Sequence, residues 1–239
     1  MKVMKQVHPK AGVSVITVTN KPEFIKNIFR NYRHQSWDQR ELIIVLNHHN
    51  MKPSTYRAYA RRKGIQAAIY QLPESLPLGV CLNYGIKRAR YPYIAKFDDD
   101  DYYGPAYLAE AVRTAEWTGA DVVGKNRFYM YMMGSKELLL LTKRRKDCVA
   151  GATLVFRKKL FPAVKFTRRR AGSDMKFLAD IWKRGGVVRT TSHRHFVAVR
   201  RADQSKHTWK FNRNAVRNMR AEVVARTVNY ERLVRRGKI

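Results

Sequence analysis

Four consecutive aspartates, Asp98 to Asp101, close the apolar stretch Tyr93-Ile94-Ala95 of a chain whose net charge is +31. Carboxylates this close repel one another unless a divalent cation, a basic neighbour or a raised pKa relieves them, and hard oxygen ligands of this kind suit Mg²⁺ or Mn²⁺. A solvated acidic turn or a helix cap is the plain alternative. The context favours the first reading, because an apolar strand runs directly into the acids and Tyr102-Tyr103-Gly104-Pro105 then leads into a helical pattern. That order puts the acids at the carboxyl edge of a sheet, where open α/β folds bind ligands.

Upstream, the pattern alternates strand and helix. Residues 13–19 (VSVITVT) read as a strand covered on both faces, and Pro22 opens a helix carrying Phe24, Ile28, Phe29 and Tyr32. A second strand, Glu41 to Leu46, ends in Asn47-His48-His49-Asn50; a basic helix over 54–63, a strand over 65–70 and a helix over 78–90 deliver the chain to the acids. This alternation predicts right-handed crossovers and a largely parallel, doubly wound sheet. Beyond Asp101 the spacing predicts a helix near 105–118, strands at 121–123, 149–156 and near 187–199, and a helix over 174–184 entered through Gly172-Ser173-Asp174. The last stretch, 212–236, reads as one helix with Val216, Met219, Val223, Tyr230 and Leu233 on its apolar face and Arg213, Arg217, Arg220 and Arg226 outside.

At 239 residues and 45% hydrophobic, the chain can bury the core of a single domain. No apolar stretch approaches the roughly 20 residues needed to cross a bilayer, and the first residues lack the apolar core of a signal peptide. The two cysteines, Cys81 and Cys148, have no metal-ligand spacing and read as reduced thiols, so the expected setting is the cytoplasm. Charge is uneven: residues 1–142 carry 21 Lys and Arg against 12 Asp and Glu, and residues 143–239 carry 28 against 6. Such a field attracts nucleotide diphosphates, nucleic acid, anionic lipid or an anionic glycopolymer without distinguishing among them.

The order VSVITVTNKPE, ELIIVL, LGVCLNYGIKRARYPYIAKFDDDD, VAGATLVF and GSDMKFL resembles glycosyltransferase family 2 over roughly residues 12–210. The resemblance implies a Rossmann-like A-type glycosyltransferase fold: a mostly parallel central sheet flanked by helices, with an acceptor-side region and a terminal helix. It divides the single domain into a nucleotide-sugar half (12–101), an acceptor half (102–210) and the basic C-terminal helix (211–239). It also implies inverting transfer of a sugar from a nucleotide diphosphate to an acceptor hydroxyl, with Mn²⁺ or Mg²⁺ on the diphosphate.

By the same resemblance, Asp98 and Asp100 match the family's Asp-x-Asp motif, with Asp98 or Asp99 near the ribose, Asp100 on the metal and Asp98 a further expected metal ligand. A departing diphosphate gains negative charge, which a divalent cation stabilises. Asp101 is expected to cap the following turn. Gly79 and Asn83 match a segment beside the nucleotide, and Thr17 and Thr19 the start of the nucleotide loop. After the second strand the family usually shows two acids, where this chain has Leu46-Asn47. An Asn amide can both donate to and accept from a base edge, so Asn47 takes that role and a UDP-sugar is only the working assumption. Asp174 matches the second acid of a Glu-Asp pair and is the expected base, against the reading that it or Ser173 caps a helix. Ser173 stands where the usual Glu would be. His207, in His207-Thr208-Trp209, is expected near the metal or diphosphate.

The leading expectation is a transferase acting on a cell-envelope or surface glycoconjugate, docked by its basic terminal helix on an anionic membrane face or acidic glycopolymer. A basic nucleic-acid-binding module is the competing class, although the basic residues are dispersed and no nucleic-acid motif appears. An inactive binding subunit of the same fold is the third.

Overall fold

The computed structural model describes residues 11–143, 145–169, 172–201 and 219–236. Strands β1 (Val13–Thr19), β2 (Arg40–Leu46) and β3 (Ala67–Gln71) alternate with helices α1 (Ile25–Arg33), α2 (Pro53–Arg62) and α3 (Leu78–Arg88), and β4 (Tyr93–Lys96) ends at the aspartates. β1 pairs in parallel with both β2 and β4, and β2 with β3. The sheet is completed by β6 (Val122–Gly124), β9 (Val155–Arg157) and β10 (Val188–Thr190), in the order β10-β6-β9-β4-β1-β2-β3. β9 runs antiparallel to both neighbours, so the sheet is parallel except at one strand.

The period of two along β1 sorts its side chains between two helical layers. Val13 and Val15 pack into the cluster holding Ile28 and Phe29 of α1, Tyr56 of α2, and Leu108 and Val112 of α4 (Tyr107–Thr118). Ile16 joins Leu82 and Ile86 of α3 with Phe177, Leu178 and Ile181 of α5 (Ser173–Lys183) on the other face. With no face left to water, the middle strands are mostly apolar, and their buried polar residues, such as Ser14, Thr17 and Lys96, are exceptions. At roughly 1.5–3 kcal/mol per buried large aliphatic side chain, these two layers dominate the stability.

A second sheet, in the order β12-β8-β7-β11-β5, is built from β5 (Tyr102–Tyr103), β7 (Arg127–Met132), β8 (Glu137–Lys143), β11 (Phe196–Arg200) and β12 (Met219–Arg226). β7 carries the run Phe128-Tyr129-Met130-Tyr131, whose Tyr129 and Tyr131 pack with Tyr102, Val197 and Val234 of α6 (Tyr230–Arg236).

Three expected elements differ: the strand expected near 187–199 is two, β10 in the first sheet and β11 in the second. The strand expected over 149–156 is a 3₁₀ turn at Gly151–Thr153 followed by the three-residue β9. The single helix expected over 211–239 is, within the described residues, β12 and then the short α6. β12 pairs antiparallel with β8, with a register shift between Val223 and Ala225. Ladder bonds to β8 outweigh the helical spacing of the apolar residues. Arg220 and Arg226 therefore lie on a strand, while Arg213 and Arg217 lie outside the described residues.

Candidate active site

β1 and β4 end at one edge, where the Phe97 N–H donates to the Ile16 carbonyl at 3.0 Å. The acidic turn beyond is held by side chains that the sequence pattern did not single out. Asn27 Nδ2 donates to the carbonyls of Asp99 (2.7 Å) and Asp101 (2.9 Å), and Asn31 Nδ2 to that of Asp101 (2.8 Å). Buried Tyr103 stacks on Phe97 with centroids 3.8 Å apart, accepts the Asp98 N–H at 2.8 Å and donates to the Ala152 carbonyl at 2.7 Å. Their only sequence signal was polar residues on the inner face of α1 and an aromatic after the acids.

So fixed, the four carboxylates diverge. Asp98 Oδ1 takes the Lys96 ammonium at 2.6 Å. Asp99 Oδ2 accepts the Thr19 hydroxyl at 2.6 Å, with Lys21 Nζ 3.9 Å from its other oxygen. Asp100 Oδ2 lies 3.2 Å from Lys21 Nζ. Asp101, 2% exposed, accepts the Val199 N–H at 3.0 Å and faces Arg200 at 3.5 Å. Asp101 therefore ties the acidic turn to β11; no cap of the following turn is formed, because its carboxylate is consumed by the second sheet. Burial, then the like charge of Asp100, pushes the Asp99 carboxyl up to about 7 against Lys21 and Thr19. Burial also carries Asp101 up to about 8, with Arg200 opposing and Asp100 and Asp98 adding.

Asp174, in the first turn of α5, reaches the same place from the other half of the chain. Its Oδ2 lies 3.9 Å from Lys96 Nζ, and its Oδ1 is buried with no hydrogen-bond partner. Neither expected cap forms: Gly172, at φ 76°, occupies the N-cap, and the Ser173 hydroxyl accepts the Thr167 N–H at 3.0 Å. Gly151 makes room for the carboxylate, since a Cβ there would sit 2.0 Å from Asp174 Oδ2. Burial raises the Asp174 carboxyl above its ordinary range; Lys96 opposes this and the charge of Asp98 adds to it. For Lys96, burial alone would depress the ammonium, but Asp174 and Asp98 together hold it above its usual range. On Asp174 the more distant Lys143 also opposes the rise.

One cavity of about 690 Å³ connects these groups, lined by Thr19, Lys21, Asn47, Glu74, Asp98 to Asp101, Lys143, Asp174 and Arg200. That volume suits a medium-sized ligand. Thr17, Gly79 and Asn83 do not line it. Thr17 is buried within β1. A Cβ on Gly79 would meet the Thr167 carbonyl oxygen at 2.1 Å, and the Asn83 amide spans both backbone groups of Phe166 at 2.8 and 3.0 Å. Both residues pin the segment before α5 against α3. Asn47 stands in the wall, with one amide N–H given to the Pro73 carbonyl at 2.7 Å. His207 lies outside the described residues.

The aspartates form no all-protein metal cage. Among the described residues, the one group of three potential ligands whose donor atoms lie within 4.8 Å of one another is His48, His49 and Glu74, at the edge of the cavity. Its two imidazoles stack at 17° and both turn a ring nitrogen to Glu74 Oε2, at 3.4 Å from His48 and 2.6 Å from His49. The acidic turn fits a different mode, in which Mg²⁺ or Mn²⁺ takes one or two carboxylates and completes its shell with phosphate oxygens and water. Asp98 and Asp100 both line the cavity, Asp98 beside Lys96 and Asp100 beside Lys21.

Residues 14–196 match the family model described as glycosyl transferase family 2. Over 102 residues the chain is 32% identical to the putative glycosyltransferase EpsH of Bacillus subtilis (strain 168), covering 42% of this chain and 29% of that protein. S. aureus TarS 1-349 in complex with UDP-GlcNAc superimposes with a TM-score of 0.66 at 17% identity, over 84% of this chain and 61% of that one. The mannosyltransferase PcManGT from Pyrobaculum calidifontis, in complex with GDP-Man and Mn²⁺, gives 0.62 at 17% identity, over 83% and 59%. The chain thus spans less than a third of the curated relative and about three fifths of these solved chains, with which it shares the fold.

Proposed function

The chain belongs to glycosyl transferase family 2, and from that premise we propose that it moves a sugar, with inversion, from a nucleotide diphosphate donor to an acceptor hydroxyl. The observation that carries this reading is the single cavity in which the acids after β4 face Asp174 from α5. Carboxylates from the donor half and the acceptor half sharing one cavity are what displacement at an anomeric carbon needs.

In this reading residues 12–101 supply the donor half, and Asp174, with the segments after Asp101, the acceptor half. Asn47 and Glu74 line the wall where the base sits, and Lys21 adds positive charge toward the diphosphate. Asp100 holds Mn²⁺ or Mg²⁺, which when bound offsets the charge that the leaving diphosphate gains. Asp174 accepts the proton of the attacking hydroxyl; burial, which raises its affinity for that proton, and Lys96, which keeps it ionised beforehand, act in opposite directions on the same group. The base is open between uracil and guanine, since neighbours of this fold carry UDP-GlcNAc or GDP-Man.

For the acceptor we infer a surface or cell-envelope glycoconjugate, reached in the cytoplasm at the inner membrane face. The net charge of +31 supports attraction to an anionic surface, and no helix among the described residues is long and apolar enough to cross a membrane.

Hydrolysis of a donor panel including UDP-GlcNAc and GDP-mannose, with MnCl₂ or EDTA, tests the reading. Release of one nucleoside diphosphate that requires the metal is expected. Binding of nucleic acid with no donor turned over would overturn it.

A further inference from the structure

We propose that Lys96 is a positioning residue for Asp174, its ammonium holding in place the carboxylate that takes the acceptor's proton. The inference deepens the function proposed above and rests on it.

Lys96 is the last residue of β4, in register with Ile16 of β1, at a position where the sheet's packing asks for an apolar side chain. Its side chain is 3% exposed. An ammonium is buried at such a place only if carboxylates compensate it. It has two, from distant parts of the chain: Asp98 at 2.6 Å and Asp174 at 3.9 Å.

The other acids of the cavity are served elsewhere. Lys21 faces Asp99 and Asp100, and Arg200 faces Asp101. For Asp174, Lys96 is the one cation within 4.0 Å among the described residues. Its other oxygen, Oδ1, makes no hydrogen bond, and the wall behind Oδ2 is a glycine, Gly151. Among the described residues the usual ways of fixing a base, a backbone N–H or a neighbouring hydroxyl, are therefore missing, and the direction of the carboxylate rests on Lys96. By holding Asp98 as well, the same ammonium sets the base-side acid against the donor-side turn.

The experiment compares four proteins: parent, Lys96→Met, Asp174→Asn and the double variant, with Lys96→Arg as a charge-retaining control. Melting temperature is read without ligand, and turnover is read with the nucleotide sugar that the parent hydrolyses. In the melting series Asp174→Asn should lower the midpoint in the parent but not in Lys96→Met, where it removes a carboxylate that has lost its cation. In the kinetic series Lys96→Met should lower kcat by about 10²-fold with little change in donor KM, as expected for a misplaced base. Lys96→Arg should recover part of the loss, and Lys96→Met should cost nothing further in Asp174→Asn.

Equal melting shifts for Asp174→Asn in the two backgrounds would overturn the pairing whatever the turnover. A rise in donor KM with kcat unchanged, or independent losses in the double variant, would overturn the positioning role and assign Lys96 to the donor. Coupled melting shifts in a protein that turns over no nucleotide sugar would instead overturn the proposed function.

Discussion

The Thr19 hydroxyl donates a 2.6 Å hydrogen bond to Asp99 Oδ2, across 80 positions of sequence, and joins the end of β1 to the turn after β4. Both groups are buried, at 2% and 7% exposure, so little water is at hand to replace the contact. Thr19→Val keeps the shape and removes the donor. It should cost about 1–2 kcal/mol in urea unfolding, the range for a hydrogen bond to an ionisable group, and weaken nucleoside diphosphate binding. Unchanged unfolding and binding would show that Asn27, Asn31, Tyr103 and the Asp101 contacts hold the turn without Thr19.

Gly151 is the clearest steric test of the base. A Cβ there would sit 2.0 Å from Asp174 Oδ2 and 2.5 Å from its Cγ, so Gly151→Ala must push the carboxylate aside. Turnover should fall by about 10²-fold with donor affinity retained, the cost of a misplacement near 1 Å. Turnover equal to the parent's would mean that the direction of Asp174 is irrelevant to the chemistry.

Asp174→Asn separates binding from turnover differently, because the amide keeps the volume and cannot take a proton. Transfer should drop by ~10²–10⁴-fold while calorimetric donor binding stays near that of the parent. A variant that transfers as fast as the parent would leave Asp174 a structural residue of α5.

How much of this was legible in the sequence divides along physical lines. The β/α alternation before Asp101 was, because strands buried on both faces leave continuous apolar runs and helices leave a spacing of three and four. The acidic turn and Asp174 were, because a strand end and a helix start can be placed from such patterns. The terminal strand β12 was not: Met219 and Val223 carry helical spacing, and only pairing with β8 decides otherwise. Lys96 was not, since a lysine before four acids looks like one more surface charge until it is found sealed between Asp98 and Asp174. Gly79 and Asn83 were placed in the right segment, but their contacts are to Thr167, Ser173 and Phe166, which no local pattern announces.

A pH dependence follows from a second buried lysine, away from the cavity. Lys125, 1% exposed, donates to Ser192 O at 2.6 Å and Thr191 Oγ1 at 2.9 Å, and pairs with Glu110 at 3.2 Å. Burial lowers its ammonium from 10.5 to about 8, against the pull of Glu110. Above about 8 the folded chain therefore binds fewer protons than the unfolded one, and this group's contribution to stability rises with pH. Urea midpoints taken from pH 8 to about 9, below the ordinary tyrosine pKa of about 10, should show this rise in the parent and lose it in Lys125→Met. Identical slopes in the two proteins would contradict it.

The central claim is that the acids after β4 bind a nucleotide diphosphate through a divalent cation. Calorimetric titration of UDP and GDP into the parent and Asp100→Ala, each with MnCl₂ and with EDTA, tests it most directly. The account predicts that one of the two nucleotides binds the parent in Mn²⁺ and not in EDTA. Asp100→Ala should lose that binding while keeping the parent's melting temperature within a few degrees, because Asp100 lies at the cavity wall and outside both helical layers. Binding of equal strength in parent and variant, or binding indifferent to EDTA, would contradict it.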